Sequence, residues 1–279
     1  MMKMTGHFMQ KLKSAVWYRL FLSAIIFLLF ACGTTKIPAN LTADERLELA
    51  MKLFDKGDYY DAKTQFRIIT LSYSGSTIAD KAQFYLGESH FNMKEYILAA
   101  SEYERLIRVY PNSEYVDDAK YKLGLSYFEL SPKYSLDQEY TIKALRQFQE
   151  FMEDYYASDL TPQVSKKLMD IRNKLAKKEF SSAEQYRKMG IHSSAIIYYK
   201  LVLEKYYDSK FAAKSQYWMG ECHRKLKQYD EALAALKLFV EKYPQDENIA
   251  KAREKIAEIN NRLKEQPAEA GQLSNSDLR

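Results

Sequence analysis

Residues 79–87 read Ala79-Asp80-Lys81-Ala82-Gln83-Phe84-Tyr85-Leu86-Gly87, and Tyr96, Ala99, Tyr103 and Tyr110-Pro111 follow them. Residues 213–220 read Ala213-Lys214-Ser215-Gln216-Tyr217-Trp218-Met219-Gly220, with Tyr229, Ala232 and Tyr243-Pro244 behind. In both stretches 12 residues separate the Gly from the Ala, and 12 more separate the Ala from the Pro. A third copy, Asp117-Asp118-Ala119-Lys120-Tyr121-Lys122-Leu123-Gly124, lies 37 residues after the first and has Tyr127 behind it. Two fainter copies hold the same register: Ala50, Gly57, Tyr59, Ala62, Phe66, Tyr73 and Ala183, Gly190, His192, Ala195, Tyr199, Tyr206. Self-similarity at a fixed period of this length marks a stack of identical supersecondary units.

These are the marks of the tetratricopeptide repeat, a helix–turn–helix unit with a small residue in each helix. The Gly of the first helix and the Ala of the second let two backbones approach closely. The Tyr three residues before the Ala opens the second helix and packs back. The Pro is expected to stop that helix, because it lacks a backbone donor. The reading is an all-α solenoid of about five repeats, near 43–74, 80–111, 117–156, 163–207 and 213–244. An amphipathic cap is expected over 246–264, where Ile249, Ala252, Ile256 and Ile259 form one stripe, and a polar tail over 265–279. Only 9 Gly and 6 Pro among 279 residues, against 23 Tyr and 14 Phe, fit long helices better than short strands joined by turns.

Two departures from the period stand out. Gly124 to Ala144 is 20 residues, and the excess maps to Ser131–Glu139. Such an insertion becomes a loop on one face, either a binding element or a neutral excursion. Ala144 to Ala195 is 51 residues. Thr161-Pro162 reads as an N-cap followed by Pro at the first helical position, which predicts a long helix from about 163 to 189.

The N-terminus reads differently. Residues 1–31 hold Lys3, Lys11, Lys13 and Arg19 and no acidic residue. An apolar run over 20–31 is too short to span a bilayer, which takes about 20 residues, and has the length of a signal-peptide core. It ends at Leu29-Phe30-Ala31-Cys32-Gly33, which resembles a bacterial lipobox and makes Cys32 the candidate lipidation site. The alternatives are a signal peptide that happens to hold a Cys, and an uncleaved anchor. Residues 1–31 then form the signal and 32–42 a tether. By resemblance to enteric sorting, Gly33 is compatible with the outer membrane.

Four of the five formal positive charges sit in that N-terminus: of 42 Lys and Arg, 38 remain beyond residue 31 against 37 Asp and Glu. A nucleic-acid binder keeps its basic excess in the folded part, so no nucleic-acid partner is expected. Two cysteines are too few for a disulfide framework or a Cys-built zinc site. No Gly-rich phosphate loop and no HExxH is present. His90, His192 and His223 fall in three different repeats and read as structural, and Cys222 reads as a buried thiol. No nucleophile, base and oxyanion set is visible, so the chain reads as a non-enzyme without cofactor or metal.

A lipobox followed closely by five such repeats resembles the BamD family, the lipoprotein subunit of the outer-membrane β-barrel assembly machine. The segments that carry the resemblance are FDKGDYYDAKTQFRIIT, YPNSEYVDDAKYKLGLSYF, the loop after Ser131-Pro132, and KLAKKEFSSAEQYRKMGIHSSAIIYYKLVLEKYYDS. They spread over residues 32 to about 262. The resemblance implies a lipid-anchored scaffold on the periplasmic face of the outer membrane. Its implied partners are a barrel subunit with periplasmic domains and the C-terminal segments of unfolded outer-membrane proteins. Here Tyr207 stands where a repeat usually ends in Pro. Tyr198 stands where enteric members carry an Arg that pairs with the barrel subunit.

In tetratricopeptide arrays, positions 2, 5, 9, 12 and 13 of each repeat line a concave groove. The register places Leu47, Met51, Phe54, Phe84, Phe91, Tyr121 and Phe128 at such positions, as candidate pockets for a client peptide; the alternative is that they pack between helices. The Lys, Asn and Arg of a carboxylate clamp are absent but for Lys81 and Asn92. Two other families remain open: periplasmic envelope-coordination proteins of the CpoB type, and SusD-like glycan-binding lipoproteins, which are about twice as long.

Overall fold

The structure, a computed structural model, describes residues 40–276, with the backbone alone over 265–276. Cys32, the signal and most of the tether lie outside the described residues. The described chain is all-helical and forms five helical hairpins and a final helix. The hairpins are α1 (Ala43–Asp55) with α2 (Tyr59–Ser72), α3 (Ala79–Asn92) with α4 (Tyr96–Val109), and α5 (Val116–Leu130) with α6 (Glu139–Asp154). They continue as α7 (Thr161–Lys188) with α8 (His192–Lys205) and α9 (Ala212–Lys225) with α10 (Tyr229–Lys242), and α11 (Ile249–Ser276) ends the array. Each helix packs on the next in sequence, so the core runs continuously through the solenoid.

The small residues of the repeat meet one large one. Ala62, Ala99, Ala144, Ala195 and Ala232 are fully buried. Sixteen residues after Gly87 stands Tyr103, and a Cβ built on Gly87 would lie 2.6 Å from its ring. The same Cβ on Gly124 would meet Phe148 at 2.7 Å, and on Gly220 it would meet Leu236 at 2.8 Å. Repeats one and four carry Ala50 and Ala183 at this place, facing the buried Phe66 and Tyr199.

The turn inside each repeat needs a left-handed residue, which is Gly57 (φ 83°), Lys94 (61°), Gly190 (77°) and Lys227 (61°) in four repeats. The residue after each returns a bond to the helix: Asp58 N–H to Leu53 O and Glu95 N–H to His90 O at 2.9 Å, Ile191 to Tyr186 and Gln228 to His223 at 3.0 Å. This six-to-one bond closes the helix end. In repeat three the equivalent residue, Ser131, is extended (φ −67°, ψ 118°), and there the chain departs into the 131–138 loop.

Between repeats a second turn recurs: Ser76, Ser113, Ser158, Ser209 and Asp246 donate their N–H to Tyr73, Tyr110, Tyr155, Tyr206 and Tyr243, each at 3.0 Å. This corrects the role expected of Pro. Pro follows only Tyr110 and Tyr243, yet all five second helices end one residue before the Tyr. The turn's hydrogen bond, common to all five, defines the end.

Two further expectations change. Thr161 is the first residue of α7, with Leu160 as its cap. The Thr161 hydroxyl donates back to the Tyr155 and Tyr156 carbonyls at 3.3 and 3.1 Å, so it is engaged in the turn and not on the helix. The last helix also runs past Lys264 to Ser276. The continuation passes through Pro267 and Gly271, and nothing in the local propensity accounts for it. No described helix is long and apolar enough to cross a membrane.

Candidate functional site

The first helices, α1, α3, α5, α7 and α9, carry the candidate face. Its seven proposed pocket residues fall into three separate packing clusters. Leu47, Met51 and Phe54 lie half-buried around the core formed by Ala50, Phe66, Ile69 and Leu86. Phe54 meets Tyr59 and Tyr85 edge-on at 5.2 and 5.3 Å. Phe91 is half-buried against Tyr96 at 5.2 Å, with the Lys122 ammonium 5.2 Å above its ring. Tyr121 and Phe128 border a third cluster built on Ala144, Phe148 and Ile171. Tyr121 lies 6.1 Å from Phe148, and the Lys167 ammonium sits 3.9 Å over Phe128.

Phe84 is a correction. It is 8% exposed and stacks on Tyr115 at 5.1 Å. Tyr115 belongs to the turn entering the next repeat, so the neighbouring unit closes over Phe84 and leaves it as core. Tyr85, which the register passed over, is the ring that joins clusters: it stacks on Phe66 at 5.7 Å and meets Phe54 and Phe84 edge-on.

The polar groups of this face also follow the repeat. Position 9 is Glu in repeats two, four and five: Glu88, Glu184 and Glu221. Glu88 accepts from the buried Tyr103 hydroxyl and from Lys122 Nζ at 2.7 Å. Glu184 accepts from the Tyr199 hydroxyl and takes a bidentate pair from Arg187 at 2.9 and 2.8 Å. Burial alone would raise the Glu184 carboxyl, but the Arg187 and Tyr199 hydrogen bonds outweigh it and hold the group below its usual range. Glu221 repeats the pattern with Arg224, both bonds at 3.0 Å. Arg187 also lies 3.9 Å over the Trp218 ring of the next repeat. The face is therefore aromatic and aliphatic along α1, α3 and α5 and carries Glu–Arg pairs along α7 and α9. The recurrence of Glu at position 9 and of Arg at position 12 in the last two repeats was the signal available in the sequence.

The histidines have structural partners in two of three cases. His90 is buried, with Nδ1 2.6 Å from Glu95 Oε2 and Nε2 3.0 Å from Arg67 Nη2. Because Arg67 can only donate, Nε2 accepts and Nδ1 carries the proton. His223 Nδ1 lies 2.8 Å from Gln228 Oε1, the equivalent place in repeat five. His192 keeps a buried Nδ1 with no hydrogen-bond partner among the described residues. Burial pushes the Cys222 thiol up to about 12. Among the described residues no group of three or more His, Cys, Asp or Glu is placed to hold a metal ion.

Residues 41–232 match the family described as YfiO: Outer membrane lipoprotein. The chain belongs to the YfiO family. The match begins just before α1 and ends inside α10, so it takes in four whole repeats and part of the fifth. No curated protein matches the chain. Among solved structures, the yeast Sti1 TPR2AB domain in complex with pHSP90 is similar at 15% identity and TM-score 0.41, over 81% of this chain and 86% of that one. A thermophilic tetratricopeptide protein of Thermus thermophilus is similar at 16% identity and TM-score 0.32, over 78% and 98%. A tetratricopeptide repeat protein from Parabacteroides merdae is similar at 13% identity and TM-score 0.35, over 84% and 79%. The YfiO family is one of outer-membrane lipoproteins, and the described residues of this member form five helical hairpins and a final helix.

Proposed function

We propose that this chain is the non-catalytic, lipid-anchored scaffold of an outer-membrane β-barrel assembly machine, attached through Cys32 at the periplasmic face. The observation that carries this reading is the YfiO match across residues 41–232. The change of character along the first helices supports a division of labour. Repeats one to three offer half-buried apolar edges (Leu47, Met51, Phe54, Phe91, Tyr121, Phe128) to the C-terminal segments of unfolded barrel proteins. Repeats four and five, with their Glu–Arg pairs, dock the periplasmic domains of the barrel subunit. Aromatic edges suit a strand whose side chains supply the recognition.

The experiment is affinity purification of the full chain from mildly solubilised envelopes. A barrel protein with periplasmic domains is expected to co-purify, and deletion of 213–279 is expected to abolish it. Recovery of Tol-Pal components in its place would overturn the reading. Cys32→Ser is expected to release the chain from the outer membrane; unchanged attachment would remove the anchor from the proposal.

A further inference from the structure

The loop inserted in repeat three is not absorbed by this function, and it is a built element. Gln138, 4% exposed, donates to the Lys133 and Leu136 carbonyls at 2.9 and 3.0 Å and accepts from the Thr141 hydroxyl at 2.7 Å. The loop is stapled to α7 at two points: Lys174 Nζ donates to Ser131 Oγ at 2.7 Å, and Lys178 Nζ to Leu136 O at 3.1 Å. Between loop and helix lies an open cleft of about 640 Å³. Lys133, Tyr134 and Ser135 line it from the loop, Asp170, Asn173, Lys174 and Lys177 from α7, and Lys210 from the turn before α9.

Its charge is one-sided. Lys133, Lys177 and Lys210 have no carboxylate within ion-pair distance among the described residues, although Lys and Arg pair widely elsewhere on the surface. Lys177 rests 4.2 Å over the Tyr134 ring, which holds its ammonium at the cleft wall. Asp170 is the only carboxylate in the lining. Like charges held together along three segments are unfavourable by themselves, and an anionic partner relieves them.

We propose that this cleft is a docking site for an acidic segment of a partner polypeptide. The open cleft has room for several side chains and is larger than a single phosphate needs. The lining mixes functions in the way a peptide demands. Lys133, Lys177 and Lys210 face acidic side chains, the Tyr134 ring offers an apolar wall, and the Ser135 hydroxyl can meet backbone groups. Asn173 already spends its Oδ1 on the Lys210 N–H at 2.9 Å, which ties the α9 turn to α7 and leaves its amide N–H groups to donate to a peptide carbonyl. Asp170 repels a compact multiply charged anion but accepts a peptide N–H. Because loop, α7 and turn are already bonded together, the site is formed before the partner arrives.

The site adjoins the aromatic edges at Phe128, over which Lys174 lies at 5.8 Å, but it does not rest on the assembly reading. The experiment uses the full chain in detergent and a fluorescein-labelled twelve-residue peptide alternating Glu or Asp with Tyr and Gly. Saturable binding that weakens with salt is expected. Lys177→Glu with Lys210→Glu should weaken it about tenfold or more. Lys237→Glu with Lys251→Glu, exposed on α10 and α11, should change it less than twofold. If the first pair lowers the melting temperature, Lys177→Gln with Lys210→Gln gives the same effect at smaller size. Equal loss in both pairs overturns the proposal, as does displacement by millimolar inorganic phosphate or a preference for anionic-lipid vesicles over the peptide. The peptide readout does not involve the barrel subunit, so its failure leaves the assembly reading untouched.

Discussion

At the scale of single residues, two effects oppose each other at the repeat glycines. Gly87→Ala gains about 1 kcal/mol of helix propensity. Its Cβ would stand 2.6 Å from the Tyr103 ring, and that ring is held by Glu88. Overpacking costs about 1–3 kcal/mol, so the net expectation is a lower midpoint in urea denaturation. An unchanged or raised midpoint would mean that α3 and α4 separate freely. His90 gives a pH dependence. Burial lowers its pKa from 6.5, against the raising effect of Glu95. The unfolded chain then binds the proton first, so stability is full above about pH 6.5 and declines as pH falls below it. Glu95, held below its usual range by the His90 hydrogen bond, adds a loss in the same direction at lower pH. His90→Gln is expected to flatten the stability profile between pH 7 and 5; an unchanged slope would place the titration elsewhere. Cys222, with its thiol near 12, should resist a thiol reagent at pH 8 until the chain is unfolded. At this scale the sequence was readable only in part. Phe84 and Phe91 occupy equivalent-looking groove positions, but Tyr115 of the following turn covers the first and not the second. A register assigns a residue to a helix side, whereas burial depends on what the next repeat brings against it.

At the scale of elements, the repeat was legible because its marks are steric. A small residue opposite a ring, and a left-handed residue at the turn, admit few substitutes. The turn also shows where the rule is bent. Lys94 and Lys227 hold the left-handed conformation at φ 61°, which costs a residue with a Cβ about 1–2 kcal/mol. Lys94→Gly or Lys227→Gly relieves this but frees the unfolded chain, so a net gain of about 0.5–1 kcal/mol is expected in denaturant melts. A loss would show that the lysine side chains contribute more than the backbone strain removes. The position of the 131–138 loop follows from the same turn. It enters at Ser131, the one place in the repeat where the two helices are already parted, so eight extra residues leave the Gly124–Phe148 contact in place. The end of α11 was less legible, since Pro267 and Gly271 read as helix breakers among polar residues.

At the scale of the whole molecule, α3 touches two cores with interleaved residues of one short helix, whereas α7 does so with successive parts of a longer one. Val164, Ile171 and Leu175 in its first half pack with Ala144, Phe148 and Phe151 of repeat three. Ala183 and Phe180 in its second half pack with Ala195, Tyr199 and Cys222. One rod of 28 residues, about 42 Å at 1.5 Å per residue, therefore belongs to two cores. A short turn leads into every later repeat, the fourth included, and in such arrays stability is a sum of units and their contacts. Here the middle of the array is splinted. To part the two cores that α7 joins, a load must snap helical hydrogen bonds within that rod, so the two halves should yield together as one mechanical body. Glu179→Pro, set between the two cores, costs about 3 kcal/mol and removes the splint without touching either ring cluster. Under force or in urea the single transition of the parent should then become two, and persistence of a single transition would mean that the halves are coupled through surfaces other than this rod.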